Sequence, residues 1–119
     1  MSQAKLRELV TKYYGLKEQL DAYVQQYNAY EIETRELDEL KKFLEENTDV
    51  SHVYKSMGGV LVKVSRDTVL EEVKQRLERL ENIKKLIKSK IDELEKLLKE
   101  TESKIRAEQL IASGGAQKE

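Results

Sequence analysis

The 119-residue chain contains no cysteine, no proline and no tryptophan, and only one phenylalanine and one histidine. Each scarcity excludes something. Without cysteine there is no disulfide framework and no thiolate ligand. Without proline nothing interrupts a helix from within. Charge of one sign is also missing: 22 basic and 23 acidic residues are interspersed and leave a net charge of -1. No whole-molecule field therefore draws nucleic acid or an anionic membrane. No apolar run approaches the roughly twenty residues that span a bilayer, and no signal-peptide pattern stands out. A cytoplasmic location, with no membrane and no nucleic acid among the partners, is the expectation.

Catalytic equipment is equally sparse. His52 is the single histidine, set beside valine and serine with no carboxylate pattern, which suits a surface or packing residue and not a ligand or general base. Gly58-Gly59 lacks the Lys-Ser/Thr that would follow in a phosphate loop. The carboxylates lie next to lysines at helical spacing, where i to i+4 pairing accounts for them. The run Lys84-Lys85-Leu86-Ile87-Lys88-Ser89-Lys90 is short and gives way to Asp92, as a solvated face does. One hairpin and two helices are expected to leave no concave pocket. The chain reads as no enzyme, with no cofactor and no metal.

What is present is charge and period. The chain is 38% charged and 39% hydrophobic, a mixture that suits long solvated helices and not a thick globular core. From Leu6 the apolar positions advance by alternating steps of three and four: Leu6, Leu9, Tyr13, Leu16, Leu20, Tyr23, Tyr27, Tyr30, Thr34, Leu37, then Lys41 and Leu44. That heptad seam predicts one helix over 3–47, ending near Asn47, a residue tolerant of the left-handed cap position. Tyr13, Tyr23, Tyr27 and Tyr30 fall on the seam and read as coil core; Tyr14 lies off it. A second seam, Leu70, Val73, Leu77, Leu80, Lys84, Ile87, Ile91, Leu94, Leu98, Thr101 and Ile105, predicts a helix over 68–112. Thr68 and Glu71 offer it a capping box. Ser113-Gly114-Gly115 is expected to stop it and leave 113–119 as a flexible tail.

Between the seams, residues 50–64 read VSHVYKSMGGVLVKV, two strand-favouring runs around adjacent glycines. This is a β-hairpin signal, with the turn centred on Met57-Gly58 or on Gly58-Gly59. Val53, Val60, Val62 and Val64 share one face with Lys55; Val50, His52, Tyr54 and Leu61 share the other with Lys63. Two strands alone are marginal in water, so apolar faces and unpaired edges mark an assembly site. Folding the chain at the hairpin sets Leu44 opposite Leu70, Leu37 opposite Leu77, Tyr27 opposite Ile87, Leu16 opposite Leu98 and Leu9 opposite Ile105. Tyr30 then faces Lys84, and Tyr13 faces Thr101. The expected architecture is mainly α: a long antiparallel two-helix coiled coil with a single β-hairpin at the bend.

The order helix, VYKSMGGVLVKV at Val53–Val64, then DTVLEEVKQRLERLE from Asp67, resembles a beta-type prefoldin subunit over essentially the whole chain. Alpha-type subunits carry two hairpins, and here there is room for one. The resemblance implies that hairpins of several subunits join into intersubunit β-barrels, through Val53, Tyr54, Val60, Leu61, Val62 and Val64 in this chain. It implies a hexamer of alpha-type subunits with further beta-type copies. It also implies an ATP-independent holdase that captures nonnative client proteins and delivers them to a group II chaperonin. The seams run out near the chain ends, where Leu6, Leu9, Val10, Ile105, Leu110 and Ile111 are the candidate client contacts. The competing expectation is a coiled-coil adaptor or spacer with no affinity for unfolded chains.

Overall fold

A computed structural model describes the backbone of residues 2–118 and the side chains of residues 3–114. The elements are helix α1 (Ser2–Glu46), strand β1 (His52–Met57), strand β2 (Val60–Ser65) and helix α2 (Arg66–Lys118). Two long helices thus flank a two-stranded antiparallel hairpin. The chain divides into two compact units, an arm unit of Met1–Tyr27 with Ile87–Glu119 and a hairpin unit of Asn28–Leu86.

In the arm unit the seam of α2 is buried at Ile87, Ile91, Leu94, Leu98 and Thr101. The α1 residues of the same unit, Leu6, Leu9, Tyr13, Leu16, Leu20, Tyr23 and Tyr27, are half-buried at the expected spacing. Lys5 meets Glu108 at 3.4 Å, and Val10 and Tyr13 share a cleft with Glu102 and Ile105. That agrees with Leu9 lying level with Ile105. Thr101, a hydroxyl in an apolar seam, donates to the Leu97 carbonyl at 2.8 Å, so its burial leaves no unmet donor.

The hairpin unit buries Leu44, Val73, Leu80 and Lys84. Each fully buried leucine of this kind contributes about 1.5–3 kcal/mol through removal of apolar surface from water. Lys84 sits where the ladder of apolar residues is interrupted, and its ammonium reaches Glu31 at 2.7 Å and Glu81 at 3.6 Å. Tyr30, expected opposite Lys84, is half-buried on the same seam, and the neighbouring Glu31 supplies a carboxylate that compensates the desolvated ammonium.

Three junctions differ from expectation. α1 ends at Glu46, and Asn47 does not adopt the left-handed conformation: only Gly58 and Gly59 have positive φ among the described residues. Asn47 closes the helix another way, its backbone N–H and side-chain amide both donating to the Phe43 carbonyl, at 3.0 and 2.8 Å. α2 begins at Arg66, two residues before the expected start. Ser65, the last residue of β2, is its cap: the Ser65 hydroxyl accepts from the Thr68 N–H at 3.1 Å and donates to the Thr68 hydroxyl at 2.6 Å. The strand therefore passes into the helix with no linker. At the other end α2 runs through Ser113-Gly114-Gly115 to Lys118, so 113–118 are helical and not an irregular tail. An established helix crosses a glycine at a cost of about 1 kcal/mol relative to alanine, since propagation needs only backbone groups. Glu119, the last residue of the expected tail, lies outside the described residues.

Candidate functional site

The hairpin is the first candidate surface. Its register pairs His52 with Ser65, Val53 with Val64, Tyr54 with Lys63, Lys55 with Val62, Ser56 with Leu61 and Met57 with Val60. The turn is therefore Gly58-Gly59, and φ of 57° and 81° at these two residues is the type I′ geometry that suits the twist of two-residue hairpins. The faces fall as expected. Tyr54 and Leu61, on one face, are 68% and 67% exposed; Val53 and Val64, on the other, are half-buried. Val60 and Val62 are exposed, and so is Met57, which sequence reasoning left out because one of the two possible turns would have placed it in the turn and not on the strand.

Backbone groups add to this. The Arg66 N–H donates to the Ser51 carbonyl at 3.0 Å, extending the ladder by one pair beyond the strands. In an antiparallel ladder bonded and non-bonded pairs alternate, so His52, Tyr54 and Ser56 on β1, and Leu61 and Lys63 on β2, turn their N–H and C=O groups outward. Two open edges beside exposed apolar side chains are a template for further strands.

The chain ends supply the second candidate surface, within the arm unit. Leu110 and Ile111 are 72% and 60% exposed, whereas Leu6, Leu9, Val10 and Ile105 are half-buried. The six candidate contacts are thus split: four lean on the coil and two stand in solvent.

The structure adds a groove of about 610 Å³ in the hairpin unit, where none was expected. Leu37, Leu40 and Leu44 of α1, Val53 to Ser56 of β1, and Val69, Glu72, Val73, Gln75, Arg76 and Arg79 of α2 line it. β1 forms one wall of it, and Lys55 of that strand meets Glu72 of α2 at 2.9 Å. No periodicity reports that approach. Leu40 was the available signal, a leucine off the seam and close to the hairpin. Sequence reasoning also missed Arg66, whose Nε donates to the Leu44 carbonyl at 2.7 Å and so satisfies an acceptor in the last turn of α1. Beside the groove, Arg76 grips Glu33 with two bonds of 2.7 and 3.0 Å. Those hydrogen bonds hold the Glu33 carboxyl below its ordinary value and the Arg76 guanidinium above its own, with partial burial opposing both shifts.

Among the described residues no cluster of His, Cys, Asp or Glu could hold a metal ion, and no helix is long and apolar enough to cross a membrane. His52 lies exposed on β1 with Nδ1 3.1 Å from the Ser51 hydroxyl.

Comparison with known proteins agrees with this geometry. A family profile described as "Prefoldin subunit" matches residues 7–110. The chain is 35% identical over 117 residues to a prefoldin subunit beta of Pyrobaculum calidifontis, an alignment covering 92% of this chain and 94% of that protein. It is 37% identical over 70 residues to a prefoldin subunit beta of Thermococcus onnurineus, covering 56% of this chain and 58% of that one. Among solved structures, the prefoldin beta subunit from Thermococcus strain KS-1 superposes with a TM-score of 0.79 at 25% identity, over 87% of this chain and 90% of that chain.

Proposed function

The chain belongs to the prefoldin family, whose subunits are chaperone components and not enzymes, and from that premise we propose that it is a holdase subunit that works through two separate surfaces. The hairpin is the assembly element. Val53, Tyr54, Val60, Leu61, Val62 and Val64 join strands of alpha-type subunits and of further beta-type copies into a barrel within a cytoplasmic hexamer. The observation that carries this reading is a hairpin with both outer edges open and Tyr54 and Leu61 more than two-thirds exposed. A two-stranded sheet with such faces gains most of its stability from added strands.

The chain ends are the capture element. Leu110 and Ile111 offer apolar surface to a nonnative chain, worth about 25 cal/mol for each Å² removed from water. Leu6, Leu9, Val10 and Ile105 extend that surface where the coil opens. One such patch binds weakly; several held on one platform raise the effective affinity by local concentration. No nucleotide enters the scheme, and the captured chain passes to a group II chaperonin.

Deletion of residues 2–10 together with 105–119 tests the capture reading. Suppression of aggregation of a denatured model protein, measured without nucleotide, should vanish while sedimentation shows an intact oligomer. Unchanged suppression would leave the chain a coiled-coil spacer. Val62→Glu with Val64→Glu tests the other surface: the oligomer should release monomers, and an unaltered sedimentation profile would overturn the assembly role.

A further inference from the structure

The arm unit carries a cleft of about 280 Å³, lined by Val10, Tyr13 and Tyr14 of α1 and by Glu102, Ile105 and Arg106 of α2. The rings of Tyr13 and Tyr14 stand edge to face, with centroids 5.5 Å apart and planes at 80°. Tyr14 is 63% exposed, whereas Val10, Tyr13 and Ile105 are half-buried. The size suits one side chain and not a folded element, since an apolar cavity of roughly 150 Å³ already admits benzene.

Two charges decide which side chain. Neither Glu102, half-buried, nor Arg106, exposed, has an ion-pair partner among the described residues. A charged occupant of either sign is attracted by one of them and repelled by the other. An aromatic ring suits both, because its face is negative and its edge positive: the Arg106 guanidinium can lie over the face while the Glu102 carboxylate meets the edge. The tyrosine pair adds a third contact, since an edge-to-face pair leaves ring surface open to another ring. An aliphatic side chain of the same bulk gains burial alone.

We infer that this cleft seats an aromatic side chain of a nonnative chain, so that capture at the chain ends selects aromatic residues and not apolar bulk alone. This rests on the chain ends being the capture element, and it adds a rule for which segments are held. Leu110 and Ile111 offer burial to any apolar side chain. Tyr14 and Arg106 discriminate, the one by its exposed ring and the other by its cation.

The test uses the full chain and two fluorescently labelled, flexible polar peptides that carry either phenylalanine or cyclohexylalanine at the same positions. Cyclohexylalanine is the bulkier and more apolar of the two, so capture by burial alone favours it or treats the pair equally. Anisotropy titrations should instead show the phenylalanine peptide binding about fivefold tighter. Arg106→Met keeps the stem and removes the cation; Tyr14→Leu keeps apolar bulk and removes the ring. Each should cut the ratio by at least about twofold without altering the helical melt. Equal affinities in the parent chain, tighter binding of the cyclohexylalanine peptide, no binding of either peptide, or a ratio that either variant leaves unchanged would each overturn the inference. The capture reading is scored separately by aggregation suppression in the chain lacking residues 2–10 and 105–119. Equal peptide affinities together with suppression lost on truncation would sink the aromatic cleft and leave capture at the chain ends standing.

Discussion

The two compact units put the same raw material, an apolar seam in a highly charged chain, to opposite use. In the arm unit, α2 hides five successive seam residues from Ile87 to Thr101, and large exposed apolar side chains gather toward the end of the helix, at Leu110 and Ile111. In the hairpin unit the seam is also sealed, at Leu44, Val73 and Leu80, yet the strands beside it leave Tyr54, Met57, Val60 and Leu61 more than half exposed. The difference follows from geometry. Two helices can cover each other's stripe, whereas two strands present two faces and two edges, and the helices beside them meet only part of one face. Buried apolar surface lies along the helix seams, and the strands keep much of theirs in solvent.

That contrast can be broken most sharply at Leu80, which is 0% exposed. Leu80→Ala should cost about 2–5 kcal/mol in thermal or denaturant unfolding. Leu110→Ala, which deletes a side chain of the same size from an exposed position, should change stability by less than about 0.5 kcal/mol while weakening client capture. Comparable melting temperatures for the two variants would dissolve the distinction between sealed seam and working surface. Next in size is Arg66→Met, which keeps the apolar stem but strips the charged donor from the Leu44 carbonyl. Loss of about 1.5–3 kcal/mol is expected from a hydrogen bond of this class, and faster amide exchange in the last turn of α1 would locate it.

The smallest effect sharpens the comparison on the polar side. Glu33 titrates below its ordinary range because Arg76 hydrogen-bonds its carboxylate. Its contribution to stability is therefore present above the unfolded-state carboxylate value, and it is lost as pH falls through the lower folded-state value. Both partners are about a third exposed, so solvent screens the pair and the contribution is small. Glu33→Gln should melt slightly below the parent chain at pH 7 and coincide with it in acid. A gap that persists in acid would mean that Glu33 acts through packing instead.

Much of this was legible in advance because the relevant signals are periodic. Every α1 seam position from Leu6 to Leu44 is half-buried or buried, and no position is skipped. The hairpin was legible because two glycines stand between β-branched runs, although the choice of Gly58-Gly59 over Met57-Gly58 needed the observed pairing. The helix boundaries were less readable. Ser65 caps α2 while still part of β2, a double duty that a search for a linker before the cap overlooks. The six candidate client residues were chosen where the seams run out. Leu9 and Ile105 lie on the seam and Val10, Leu110 and Ile111 leave it; burial then sets Val10 among the half-buried four and leaves Leu110 and Ile111 in solvent.

From its sequence alone this chain is two seams and a hairpin, since side-chain period records which face of each element avoids water. Only the tertiary structure set β1 beside α1 and α2 and opened the groove that Lys55, Glu72 and Arg79 line. Those features depend on how elements distant in sequence approach one another. No local pattern encodes that approach.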